Sequence, residues 1–174
     1  MRRRLIVVPQ EPFLFANTIF YNLQFAEPNA TSNDMVAAFT ELGLSDWLDS
    51  LPSGLDTHVG QRGSSLSAGE RQLVALVRAS IVRPDVLVLD EATSSVDSLT
   101  EVRISRALER LALGRTTISI AHRLSTASRA DRVVMLESGR IVEDGSHASL
   151  MNANGKYAAL YEAWLNSTNG ESRD

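Results

Sequence analysis

The chain has 174 residues, 44% apolar and 22% charged, and a net charge of −4. That is enough for one domain with a sizeable core, and it carries no global basic signal for nucleic acid. There is no cysteine, which excludes disulfides and thiolate metal sites.

In chain order, Leu5–Val8 after Met1-Arg2-Arg3-Arg4 is a short apolar run stopped by Pro9. It predicts a strand and is far too short for a signal-peptide core, and no run approaches the roughly 18 apolar residues of a membrane span. Residues 10–18 read as a loop with two exposed aromatics, Phe13 and Phe15. Turn chemistry at 28–32 launches a helix in which Met35, Val36, Phe39, Leu42 and Leu44 keep a helical period. Residues 51–65 hold Pro52, Gly54, Gly60 and Gly63 and read as loop. A helix is predicted from about 69 to 82, its buried face formed by Leu73, Val74, Leu76 and Val77. Pro84-Asp85 ends it and starts the strand Val86–Asp90. An amphipathic helix over 99–113 closes at Gly114. Two further strands follow, Thr116–Ile120, leading to His122, and 132–136. A turn at 137–140 and residues 141–143 complete a hairpin with the latter. Ser146 caps a short helix, 157–165 forms the last one, and 166–174 is a polar tail. Strands alternating with helices predict an α/β layered domain with a mainly parallel sheet. No internal repeat, linker or low-complexity segment is present.

Two places carry chemistry. The run Val86-Leu87-Val88-Leu89 ends in the adjacent acids Asp90 and Glu91. Charge at the tip of a buried strand is costly unless something uses it, and a magnesium ion with a water attacking a phosphate would do so. Ser67-Ala68-Gly69-Glu70 is a capping box at the head of the 69–82 helix. A helix N-terminus headed by Ser and Gly is also an anion site, and the pentapeptide alone leaves both readings open.

The order of these segments decides between the readings. Leu66-Ser67-Ala68-Gly69-Glu70-Arg71-Gln72 and Leu87-Val88-Leu89-Asp90-Glu91-Ala92-Thr93-Ser94 resemble the signature and Walker B motifs of ATP-binding-cassette ATPases. Gln10 resembles the Q-loop glutamine, Ser94-Ser95-Val96-Asp97 the D-loop, and His122 the switch histidine. Five motifs in this order over 5–150 form a specific pattern. Gly54-Leu55-Asp56-Thr57-His58-Val59-Gly60-Gln61-Arg62-Gly63 and Val8-Pro9-Gln10-Glu11-Pro12-Phe13-Leu14-Phe15 resemble exporter-type transporters. This loop, with the absence of coiled-coil heptads, speaks against the DNA-repair and chromosome-maintenance branch.

The resemblance implies a P-loop NTPase-like fold, a mainly parallel sheet flanked by helices. It implies a helical signature subdomain over about 17–83 and a core part formed by 5–10 and 84–165. The cofactors implied are ATP and Mg²⁺. Asp90 would hold the metal, with Gln10 reaching it and the attacking water. Glu91 would orient or deprotonate that water, and His122 would hydrogen-bond the γ-phosphate. Ser67, Ala68, Gly69 and Glu70 would close over a nucleotide held by a second nucleotide-binding domain, and Asp97 would contact the opposing phosphate loop. Phe13 and Phe15 would dock on transmembrane domains or pack locally, and no nucleic-acid partner is implied. The parent would work at the cytoplasmic face of a membrane. His58 and His147 lack any such context and are left as structural.

Two positions depart from the pattern: Ala68 stands where the family usually has Gly, and Glu70 where it usually has Gln. The methyl can crowd a phosphate and the carboxylate repels one, so weaker nucleotide affinity is expected at this half-site. No G-x-x-x-x-G-K-[S/T] loop occurs, and Lys156 is the sole lysine. The chain thus resembles the C-terminal part of a nucleotide-binding domain, beginning after Walker A. In this class the phosphate-loop strand lies between the 116–120 and 132–136 strands. Its loss predicts an opened sheet, marginal stability or self-association, and no hydrolysis by the chain alone. The same piece could instead serve as a non-catalytic docking or dimerising module that presents the signature to a partner's ATP.

Overall fold

The computed structural model describes residues 5–90, 97–121 and 124–170, with 167–170 described by their backbone. Two units, Met1–Ile120 and Ala121–Asp174, are each internally packed. The first begins with β1 (Leu5–Val8), followed by α1 (Ile19–Ala26), α2 (Ser32–Leu42) and α3 (Ser45–Ser50). Thr31 and Asp34 close a reciprocal capping box at the head of α2. Gly43 ends that helix at φ +71°, a left-handed position where a side chain would also collide with the Arg110 guanidinium. The next helix, α4 (Ala68–Val82), turns at Arg83 into β2 (Val86–Asp90). Then come α5 (Ser98–Ala112), headed by Asp97, and β3 (Thr116–Ile120).

The three strands form one parallel sheet in the order β1-β2-β3. Because side chains alternate along a strand, Val8 and Leu87 fall on one face and are buried. That face packs into the core with α4, whose Leu73, Val74, Leu76 and Val77 are all fully buried. A helix buried on almost every side explains a sequence apolar over nearly the whole turn. Leu14, Ile19, Leu23, Met35, Phe39 and Leu42 complete the same core from α1, α2 and the preceding loop. The opposite face carries Leu5, Val7 and Ile118, each about half exposed or more. Every residue of β3 is exposed.

In the second unit, α6 (Leu124–Ala127) precedes an antiparallel hairpin of β4 (Val133–Glu137) and β5 (Arg140–Gly145), which forms a separate two-stranded sheet. Helices α7 (His147–Asn152) and α8 (Lys156–Gly170) follow, and Ser146 caps α7 as predicted. Glu143 of β5 accepts the Lys156 and Tyr157 backbone N–H groups, satisfying the open end of α8.

The α/β class and the mainly parallel sheet expected from the sequence are present. Strand β4 lies one residue later than predicted, β5 extends one residue earlier and two later, and the last helix continues to Gly170, into the stretch read as a polar tail. Helices α1, α3 and α6 were not predicted. Val36, placed on the core face of α2, is exposed, whereas Phe15, read as exposed, is half-buried among other rings. Leu76→Ala deletes a fully buried side chain at the centre of the core. It is expected to lower unfolding free energy by about 2–5 kcal/mol in urea titration.

Candidate functional site

Strand geometry brings two of the predicted residues to one place. Val8 pairs with Leu89, so β1 and β2 leave the sheet at the same edge. Asp90 is the last residue of β2 and is half-buried; Gln10 follows β1 by two residues and is exposed. This is the carboxyl edge of a parallel sheet, where ligands bind in open α/β folds. Glu91, the stretch 94–96 and His122 lie outside the described residues.

A carboxylate and an amide are hard oxygen donors of the kind Mg²⁺ accepts. Among the described residues no group of three or more His, Cys, Asp or Glu side chains gathers as a closed metal cage. By donor type, Asp90 and Gln10 fit magnesium, an ion that keeps several waters and takes oxygens from a phosphate substrate.

Ser67 and Glu70 form the second group. Ser67 Oγ accepts the Glu70 N–H at 3.2 Å, and Glu70 Oε2 accepts the Ser67 N–H at 2.8 Å, a complete capping box. The other carboxylate oxygen of Glu70 accepts Trp47 Nε1 at 3.3 Å. Glu70 is thereby anchored both to the helix end and to α3. Ser67 and Ala68 are exposed while Gly69 is buried. The N-terminus of α4 thus faces outward one helix length, about 22 Å, from the turn that feeds β2.

The loop before this helix is held by backbone bonds. Val59 N–H donates to Asn17 O and Ile19 N–H to Thr57 O, both at 3.0 Å, and Thr18 bridges His58. Gly63, at φ +80°, packs against the Arg71 side chain and Leu14, leaving no room for a Cβ. The segment preceding α1 is fixed from the other side by Arg78 and the fully buried Asn22. Sequence reasoning missed Trp47, Asn22 and Arg78. The signal for Arg78 was a single cation inside the apolar run 73–82; Trp47 offered none.

Asp97 heads α5. Its carboxylate accepts the Thr100 N–H at 3.0 Å, and the hydrogen bonds from Thr100 hold its pKa below the usual carboxylate range. Asp34 is held low in the same way, by the Thr31 hydroxyl and then the Thr31 backbone.

Comparison with known proteins bears on these features together. A sequence profile described as ABC transporter matches residues 1–94. The chain belongs to the ABC transporter family. It is 47% identical over 161 residues to ABC transporter aclQ of Aspergillus oryzae, covering 92% of this chain and 20% of that protein. It is 44% identical over 164 residues to the mitochondrial iron-sulfur clusters transporter ABCB7 of Oryzias latipes, covering 94% of this chain and 22% of that one. The structure of a bacterial Atm1-family ABC exporter with ATP bound matches with a TM-score of 0.83 and 41% identity, over 94% of this chain and 28% of that chain. The chain thus spans 20–28% of the length of these relatives. The family and fold expected from the five motifs are borne out.

Both capping carboxylates have folded-state pKa values below their unfolded ones, so they add stability above the unfolded value that is lost as pH falls through the folded one. The urea midpoint is expected to fall as pH drops below about 4, and Asp97→Asn, which keeps the cap acceptor, to flatten part of that slope. Ser67→Ala removes a cap and is expected to cost about 1 kcal/mol in the same titration.

Proposed function

We propose that this chain carries the metal-holding strand tip and the signature helix of the ATP-hydrolysing domain of an ABC exporter, and that it does not turn over ATP alone. The observation that carries this reading is the sheet edge. Asp90 and Gln10 lie at the ends of parallel neighbouring strands on one edge, in a chain whose α4 begins at a capped end with Ser67 exposed. A bound Mg²⁺ would neutralise phosphate charge. In this reading Asp90 and Gln10 hold the ion and Glu91 orients the attacking water or takes its proton. His122 donates a hydrogen bond to the γ-phosphate. Ser67, Ala68, Gly69 and Glu70 close over nucleotide bound by a second nucleotide-binding domain, and Asp97 meets that domain's phosphate loop.

The rest of the machinery follows from the same assignment. The division into a helical part over about 17–83 and a core part over 5–10 and 84–165 places the signature and the strand tip in separate subdomains. Transmembrane domains would dock on the aromatic surface around Phe13 and Phe15, where Phe13, Tyr21 and Phe25 stand exposed. Among the described residues no helix is long and apolar enough to cross a membrane. Work at the cytoplasmic face would therefore depend on those domains. The free side of β3, a strand whose residues are all exposed, is the place where a phosphate-loop strand would join the sheet.

The test is Mg-ATP turnover by the 174-residue chain, alone and mixed with an intact nucleotide-binding domain. Turnover is expected at background from the chain alone; turnover by the chain alone that Glu91→Gln abolishes would sink the reading. A second reading, a non-catalytic module that presents the signature to a partner's ATP, is favoured by the exposed Ser67. It predicts tighter ATP binding on mixing, lost in Ser67→Ala, with turnover indifferent to Glu91→Gln. Sedimentation of the chain is expected to show concentration-dependent association through β3, and a monomer across the micromolar range would contradict that.

A further inference from the structure

Three exposed rings, Phe13, Tyr21 and Phe25, surround half-buried Phe15 at centroid distances of 5.2, 6.2 and 4.4 Å. The backbone beneath them is gripped at one point. Asn22 is fully buried; its side-chain oxygen accepts the Phe15 N–H at 2.9 Å, and its amide donates to Phe15 O at 3.0 Å and Thr18 O at 2.9 Å. Arg78, from the middle of α4, donates through Nη1 to Phe13 O at 2.6 Å and through Nε to Asn22 O at 2.9 Å. Its Nη2 donates to the Asn22 side-chain oxygen. A planar guanidinium thus engages three acceptors on a segment more than 50 residues away in sequence. Burial lowers the Arg78 pKa, yet the group stays protonated at any ordinary pH.

The same helix carries Ser67, Gly69 and Glu70 at its other end, where Glu70 reports to Trp47. A helix whose residues 72–77 are all buried moves as a rod rather than bending locally. We propose that Arg78 is a positioning residue that joins the aromatic surface around Phe15 to the Ser67 end of α4, with Asn22 as the joint. A displacement of the Phe13 carbonyl by a partner seated on the rings reaches the signature residues through this guanidinium. A second route runs through the backbone pairs of residues 17–19 with 57–59, so loss of Arg78 weakens the linkage without abolishing it. The meaning of the linkage rests on the reading given under Proposed function; its existence does not.

A double-mutant cycle on the full ¹⁵N-labelled chain tests it without nucleotide. Phe13→Ala trims an exposed ring and is expected to leave the urea midpoint unchanged. It should displace the Gly69, Glu70 and Arg71 amide resonances and the Trp47 indole resonance. In an Arg78→Lys background, which keeps the charge and loses the fork, these displacements are expected to shrink about twofold or more. Equal displacement in both backgrounds, or none in either, overturns the proposal. Native-state hydrogen exchange on the unsubstituted chain gives a second reading that depends on no variant. The amides of Phe15 and Glu70 should open with one free energy and one urea dependence. Opening of Phe15 while Glu70 stays protected overturns it. Failure of either test leaves the ATP reading intact, and failure of the mixing experiment leaves the linkage intact.

Discussion

The burial of α4 is the constraint on which the rest of the first unit depends. Helix, turn and strand form one continuous run, 68–90, in which the helix is walled in by α1, α2, α5 and the sheet. Because its buried middle resists bending, the capped end at Ser67 and the acid at Asp90 keep a set relation to one another. Two candidate groups that look independent in the sequence are the two ends of one continuous α–β element. The short turn at Arg83-Pro84-Asp85 ties helix to strand, since proline cannot continue the helix and the left-handed Arg83 ends it.

Glu70 shows how a departure from a family pattern can be accommodated. As a free carboxylate at an anion-binding helix end it would oppose a phosphate. Here one oxygen closes the capping box and the other takes the Trp47 indole N–H. The charge is held against donors of the protein itself, and it also pins α3 to the helix end. Glu70 therefore has a structural role, whatever its effect on nucleotide affinity.

How much of this was legible in the sequence follows the range of the forces involved. The strands Val86–Asp90 and Thr116–Ile120 read directly from unbroken or β-branched runs between breakers, and the Ser67 cap from its spacing to Glu70. Helix α1 did not: Ile19–Ala26 is eight residues, and its buried Asn22 looks like a loop residue until Arg78 arrives from α4. Trp47 was invisible for the same reason, since its partner is fixed by tertiary packing and not by spacing. Gln10 and Asp90 could be placed side by side only once the register of β1 against β2 was known. Motif spacing singled out Gln10 and Asp90 as candidates; the strand pairing brought the two to one sheet edge.

That pairing carries a further consequence, for the chain's birth. Leu5 is hydrogen-bonded in register with Val86, about 80 residues later, through a parallel ladder that no local hairpin can template. At typical ribosomal rates β1 waits some 4–16 s before its neighbour is synthesised. During that interval the three helices α1 to α3 and then α4 must assemble with an apolar strand still unpaired beside them. The central strand pairs with β1 first, and β3 can join its other side only after α5 has been made. The order of synthesis makes β1 the segment most in need of protection while the chain is growing.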